Sequence, residues 1–268
     1  MALDGKTLRG TIPAGQTRGV HLLAVDWPDQ GVTLAQVAVG HKENEIVAAP
    51  TLLQRLDLTG VVVTGDAMPA QRGLSRQLVA AQGDDGWLVQ ENQPALRASL
   101  ELRFEPPRLA NGWSEPSDDV TTARQVEKGH GRLEERIITV SRMLHEDVDW
   151  PYLDQVVRLE RRVTIGAVTT IEVRYGITSL PPSAASAQRL LTIARTAWGI
   201  ENGRQYRRDV TLREDACQVR RGRAPHALAA LNNTVIGLVL QTGARNLAAA
   251  QRAFASAFDR LLARQNAV

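Results

Sequence analysis

A chain of 268 residues and 29.3 kDa can bury one elaborated core or two small ones. Its 43% hydrophobic and 23% charged residues form no apolar run near the roughly 20 residues of a membrane span. The start, Met1-Ala2-Leu3-Asp4-Gly5-Lys6, lacks the basic and apolar regions of a signal peptide, so a cytoplasmic location is expected. Cys217 stands alone, which excludes a disulfide framework and a cysteine zinc site. The net charge of +3, with a pI of about 9.4, permits a nucleic-acid partner without establishing one.

Asp4-Gly5-Lys6-Thr7-Leu8-Arg9-Gly10 reads as the end of a strand stub running into a turn. Residues 19–27 and 31–40 read as two strands of an antiparallel hairpin, joined by Pro28-Asp29-Gln30-Gly31. Asn44 suits a helix cap, with Pro50 near a first-turn position and Ile46, Leu52, Leu53 and Leu56 on an apolar face. Val61-Val62-Val63 then forms a buried strand ending on Gly65 and Asp66, and the next helix runs to about Gln82, where Gly83 stops it. Trp87-Leu88-Val89 is a fifth short strand. The order predicts a mixed sheet with helices on its faces.

From Pro94 the texture changes: a helix to Leu102, a Pro/Gly/Asn/Ser-rich link, then two hairpins with tips at Gly129-His130-Gly131 and Gly166. Beyond Pro181-Pro182 the chain is helical, over 183–206, 225–240 and 246–264. Ala184, Ala187, Leu190, Leu191 and Ala194 suggest a packed face, and Leu247, Phe254, Phe258, Leu261 and Leu262 another. The domain reading is a core in two parts (1–93 and 181–245), a β-rich insertion (94–180) and a C-terminal helix (246–268).

Asp66 lies where an open α/β sheet gathers ligands, beyond the carboxyl end of a strand, although an Asp after a strand also suits a helix cap. Glu201, beside Trp198 and followed by Arg204, Arg207 and Arg208, is either an ion-pair partner or a ligand. Three carboxylates from separate elements can hold two Mg²⁺ ions that activate water and stabilise a leaving phosphodiester oxygen. By spacing alone such a set is weakly specific, because 29 acidic residues offer many triples.

The motifs are more specific than the spacing. DGKTLRG (4–10), HKENEI (41–46), VTGDAM (63–68), ENQPAL (91–96), KGHGRLEER (128–136), WGIEN (198–202) and REDACQVRRGRAP (213–225) occur in one order. In that order they resemble DDE transposases of bacterial insertion sequences, of the ISAs-type or H-repeat-associated group, from Asp4 to about Leu240. The resemblance implies an α/β, ribonuclease-H-like mixed sheet flanked by helices, with a β-rich insertion before the helix carrying the glutamate. It implies Asp4, Asp66 and Glu201 as catalytic and metal-binding residues, with two Mg²⁺ or Mn²⁺ ions as cofactor. It further implies double-stranded DNA at transposon ends and target as partner, copies assembled on nucleoid DNA, hydrolytic nicking, and attack of a 3′-hydroxyl on the target.

Arg204, Arg207 and Arg208, the tip residues Lys128, His130 and Arg132, and the cluster Arg220, Arg221 and Arg223 are candidates for phosphate contact, or else solvated faces. The chain also departs from the family pattern. Members resemble one another in carrying a helical segment ahead of the DGK motif, so this chain is expected to be truncated there. Gly65 stands where an apolar residue is usual, Gln90 for a lysine, Ala197 for a histidine, and Arg204-Gln205-Tyr206 for Leu-His-Trp. Three functions remain open: a metal-dependent transposase core, an inactive remnant of one, and a DNA-binding fragment that competes for transposon ends.

Overall fold

The computed structural model describes residues 1–40, 44–105, 119–129, 131–143, 148–200, 205–244 and 246–255. They fall into two compact units. The first comprises Met1–Leu3 and Glu43–Ala197, the second Asp4–Lys42 and Trp198–Val268.

In the first unit the sheet begins with the opening residues of β1 (Ala2–Leu8) and continues through β4 (Val62–Gly65), β5 (Asp84–Val89), β9 (Val168–Thr178), β8 (Gln155–Ile165), β7 (Arg132–Ser141) and β6 (Thr121–Gly129). The strands β1, β4 and β5 are parallel, whereas β5–β9 and every pair beyond it are antiparallel, so the sheet is mixed. The hairpin strands expected to form an insertion therefore extend the same sheet, joined to it where Trp87 faces Ile177. Ion pairs lace these strands: Glu134 accepts from Arg136 and Arg161, both at 2.6 Å, and Arg195 of α4 (Ala187–Ile200) pairs with Glu127. The three arginines around Glu134 outweigh its burial and hold its carboxyl below the usual range.

Helix α1 (Glu45–Leu53) starts where expected, with the Asn44 side chain accepting from the Val47 amide at 3.3 Å. Pro50 lies inside α1, in its second turn, rather than near the first-turn position expected. Helix α2 (Arg72–Ala80) ends differently from the expectation too. Gln82, not Gly83, takes the left-handed conformation (φ 60°), while the Gly83 amide bonds the Leu78 carbonyl at 2.9 Å. Gly83 is needed for another reason, since a Cβ there would meet the Leu58 carbonyl oxygen at 2.8 Å. Helix α3 (Pro94–Phe104) lies on β8 and β9, its end fixed by Glu105, which accepts from the Tyr175 hydroxyl at 2.8 Å and from Arg158 at 3.2 Å. On α4, Ala187, Leu190 and Leu191 are buried as expected, whereas Ala184 lies before the helix and is exposed.

Among the carboxylates the first unit buries is Asp85, which nothing in the sequence singles out. Asp85 is 1% exposed, and one of its oxygens accepts from the Ser179 amide at 3.0 Å. Burial pushes its pKa up to about 6, against hydrogen bonds from Ser75, Ser179 and Trp87, with the neighbouring Asp84 charge adding to the rise. Because the folded value lies above the unfolded one, the folded state binds the extra proton between about pH 4 and 6. The group then adds stability as pH falls through that window and withdraws it as pH rises, by on the order of 3 kcal/mol. Denaturant titrations at pH 7 and pH 5 should show wild type gaining on an Asp85→Asn variant at the lower pH. A pH-independent difference between the two would contradict this assignment.

The second unit contains the remainder of β1, then β2 (Val20–Trp27) and β3 (Val32–Val39), in the order β3-β2-β1. The β2–β3 hairpin is antiparallel, with a register shift at Val25 and Asp26. Helix α5 (Ala224–Gln241) lies on β3. Asn233 donates to Gln36 Oε1 at 2.8 Å, and Gly237 admits Val32, whose Cγ1 would stand 3.2 Å from an added Cβ. Ile236 and Val239 of α5 pack with Leu247 and Ala250 of α6 (Leu247–Ala255), with Phe254 partly buried alongside. Phe258, Leu261 and Leu262 of the expected terminal stripe lie outside the described residues.

The first strand is not the stub expected. It runs unbroken through Asp4 and Gly5 to Leu8, and it is tied down from its first residue. The Met1 ammonium donates to the Val62 carbonyl at 2.7 Å, and the Thr64 amide returns a bond to the Met1 carbonyl at 3.0 Å. Among the described residues no helix is long and apolar enough to cross a membrane.

Candidate functional site

Asp66 is exposed at the carboxyl end of β4. It does not cap α2, whose N-cap is Gln71. Its Oδ1 instead accepts from the Met68 amide at 2.9 Å, in the turn that follows the strand. The strand reaches this point because Gly65 makes room: a Cβ there would lie 2.9 Å from Trp87 Cζ3 and 3.3 Å from Pro69 Cγ. The missing side chain at Gly65 is thus replaced by the Trp87 ring of the neighbouring strand, directly opposite in register. Trp87 is 1% exposed, and its indole N–H donates to Ser75 Oγ at 2.9 Å, which fixes the ring. The expected weakness of glycine in this strand is therefore made good by packing across it.

Asp4 lies midway along β1 and is half-buried, with Oδ2 accepting from the Gln205 amide at 2.8 Å. Gln205 belongs to the segment that departs from the family pattern, so the departure touches a candidate residue. In the β1–β4 register Leu3 faces Gly65, and in the sequence each is followed by an aspartate. Both acids offer hard carboxylate oxygens, the donor type that Mg²⁺ and Mn²⁺ take. Glu201, Arg204 and His130 lie outside the described residues.

The remaining basic candidates separate by burial. Arg208 is 4% exposed, and its Nε donates to Glu214 Oε2 at 2.7 Å, so its guanidinium is committed to the interior. Glu214, 3% exposed, accepts a second bond from Asn232 at 3.0 Å. Arg207 opens the π-helical turn Arg207–Thr211 and is half-buried. Arg221, Arg223 and Lys128 are exposed, as is Arg132, which stands 3.4 Å from Glu134. Arg220 donates to the Gly10 carbonyl at 2.9 Å.

That contact is part of a clasp that the sequence did not announce. Lys6, 8% exposed, reaches Asp209 at 2.5 Å and Asp215 at 3.5 Å. Arg9 adds its backbone amide to Asp215 at 3.3 Å. The segments DGKTLRG and REDACQVRRGRAP are therefore tied together about 200 residues apart in sequence, within the second unit. A lysine after an Asp-Gly pair looks like a turn residue until its acidic partners are in view. Two further residues were missed in the ENQPAL segment, Asn92 and Gln93. Their side-chain amides donate to the Ala67 and Ala70 carbonyls, at 2.5 and 3.3 Å, in the loop that follows Asp66.

Comparison with known proteins places these segments in context. No family model matches the chain. It is 31% identical over 248 residues to "Putative protein YbfL" of Escherichia coli K12, covering 89% of this chain and 63% of that protein. It is 30% identical over the same length and shares to "H repeat-associated putative transposase YhhI" of the same strain. It is 28% identical over 247 residues to "Putative transposase YncI" of Escherichia coli O157:H7, covering 89% and 61%. The chain thus spans somewhat under two thirds of the length of these relatives, two of which carry a transposase name. Those names support a transposase family.

Proposed function

We propose that this chain is the catalytic core of a DDE transposase of the H-repeat-associated group, cutting insertion-sequence ends and joining them to target DNA. The observation that carries the reading is the similarity along 89% of the chain to proteins with transposase names, in a chain whose Asp66 is exposed at the carboxyl end of β4. A ribonuclease-H-like arrangement accords with the strand pattern, in which an antiparallel β2–β3 hairpin follows β1 and the parallel partners β4 and β5 come after it.

In this reading Asp4, Asp66 and Glu201 hold two Mg²⁺ or Mn²⁺ ions. When bound, the ions supply activation of the attacking oxygen and stabilisation of the leaving one. The protein's own part is positioning. The Asp66 carboxylate is oriented by its Met68 amide bond, and β1 is fixed along its length by Met1 at one end and Lys6 further on. Lys128, Arg132, Arg207, Arg221 and Arg223 meet phosphates, where they position the duplex without reading its sequence. Arg208 is assigned to the interior, and Arg220 holds Gly10.

A second reading, a DNA-binding fragment that occupies transposon ends without cutting, is favoured by the Gln205 amide on the Asp4 carboxylate. Mn²⁺ titration separates the two. The catalytic reading expects Asp4→Ala, Asp66→Ala and Glu201→Ala each to weaken Mn²⁺ binding by more than about tenfold, the lower end for residues one shell further out. Unchanged binding in Asp66→Ala and Glu201→Ala would overturn it, and salt-sensitive binding to terminal repeats would then leave the second reading standing.

A further inference from the structure

Three carbonyl groups of the loop after β4 accept side-chain amides. Ala67 O accepts from Asn92 Nδ2 at 2.5 Å, Met68 O from Gln71 Nε2 at 3.3 Å, and Ala70 O from Gln93 Nε2 at 3.3 Å. Gln93 occupies the N-cap position of α3 yet makes no side-chain cap there, its amide being turned to Ala70. Beneath the loop, Ala67, Pro69 and Ala70 are buried, and the Trp87 ring closes the space over Gly65. The turn bearing Asn92 is itself pinned: the Gln93 amide bonds the Gln90 carbonyl at 3.0 Å, and Glu91 pairs with Arg97 at 2.7 Å.

One peptide plane in this loop connects Asn92 to Asp66. The Ala67 carbonyl and the Met68 N–H are opposite edges of the same planar unit, which cannot twist internally at reasonable cost. Asn92 grips its oxygen edge, and the Asp66 carboxylate accepts from its nitrogen edge at 2.9 Å. Rotating that plane would carry the N–H away from Asp66, so the direction of the carboxylate depends on a side chain 26 residues further along the chain. The donor must be an amide or another N–H or O–H group, since a carboxylate at 92 would face the Ala67 carbonyl with no proton to give.

We propose that Asn92 is a positioning residue for Asp66, acting through the Ala67–Met68 peptide plane, with Gln93 steadying the far end of the same loop. The proposal rests on the catalytic reading of Asp66 for its functional consequence, while its structural half stands apart from it. The test uses the 268-residue chain and two readouts. The first is hydrogen exchange of the Met68 amide, and the second is the Mn²⁺ concentration giving half-maximal nicking of a labelled duplex.

Asn92→Asp, which keeps shape and loses the donor, and Asn92→Ala, which adds no charge, should each speed Met68 exchange about tenfold. Both should raise the half-saturating Mn²⁺ by about 10-fold or more, the usual scale for a residue behind a metal ligand. The melting temperature should stay within a few degrees, because Asn92 is exposed and replaces no core group. Asn92→Gln, which retains an amide donor, should recover part of both effects. Wild-type exchange at Met68 in the Asp and Ala variants would overturn the proposal, and so would faster exchange with unchanged Mn²⁺ dependence. If Asp66→Ala nicks like wild type, the catalytic reading fails instead, and Met68 exchange alone decides whether Asn92 orients that carboxylate.

Discussion

Glu214→Ala should destabilise the protein by about 3–5 kcal/mol, as expected when one member of a buried ion pair is removed and the other charge stays inside. Arg208 is the charge left behind, with its side chain 5% exposed, and Asn232 loses an acceptor as well. The loss comes from the orphaned guanidinium rather than from the strength of the pair. A Glu214→Leu/Arg208→Met double variant should therefore recover most of the stability, because replacing such a pair by apolar groups of similar size is often neutral. Urea denaturation of Glu214→Ala and of the double variant measures this. A double variant less stable than Glu214→Ala would mean that the pair stabilises outright and the burial argument is wrong.

Gly10→Ala should be at least as damaging in its own region, by about 3 kcal/mol or more, the upper range for overpacking. An added Cβ would stand 2.0 Å from the Cys217 carbonyl oxygen and 2.9 Å from that of Asp215, both backbone atoms with no rotamer to change. The clasp between 4–10 and 213–225 would open, and Lys6, Arg9 and Arg220 would lose their partners with it. The same substitution at Gly73, where an added Cβ meets nothing within 4 Å, is the control and should change stability little. Proteolysis between 205 and 223 should accelerate in Gly10→Ala and not in Gly73→Ala. Equal behaviour of the two would contradict the close approach.

Much of the fold is legible in the residues because it is locally determined. The β2–β3 hairpin follows from two β-branched runs around Pro28-Asp29-Gln30-Gly31, and Gly31 takes the left-handed conformation the turn needs (φ 66°). Asn44 caps because its short side chain reaches the first free amides of α1. What could not be read rests on partners distant in sequence. Asp-Gly-Lys looks like a turn, yet β1 continues through it because Asp209 and Asp215 neutralise Lys6 where it is buried. Gly65 looks like a weak point in a strand until Trp87 is placed over it, and Arg208 looks like a surface cation until Glu214 is beside it. The join of β9 to β5 is hidden for the same reason, since no local pattern says which strand an edge will pair with.

The candidate site divides the same way. Asp66 is legible as the acid at the end of an apolar strand, and Asp4 through the family resemblance; each accepts a hydrogen bond, Asp66 from the Met68 amide and Asp4 from Gln205. Asn92 and Gln93 could have been suspected from the ENQPAL segment, but an amide pair after a strand has many uses. Only the bonds to Ala67 and Ala70 give them one.

Single-strand nicking of a labelled duplex carrying an insertion-sequence end, by the purified 268-residue chain with Mn²⁺, separates a catalytic core from a fragment that only binds. A catalytic core should nick the duplex, and nicking should fall by more than about 100-fold in Asp66→Ala and in Glu201→Ala, beyond the loss expected from a residue that merely supports a ligand. Equal nicking by wild type and Asp66→Ala, or none from a wild-type chain that still binds the end, would contradict the catalytic reading.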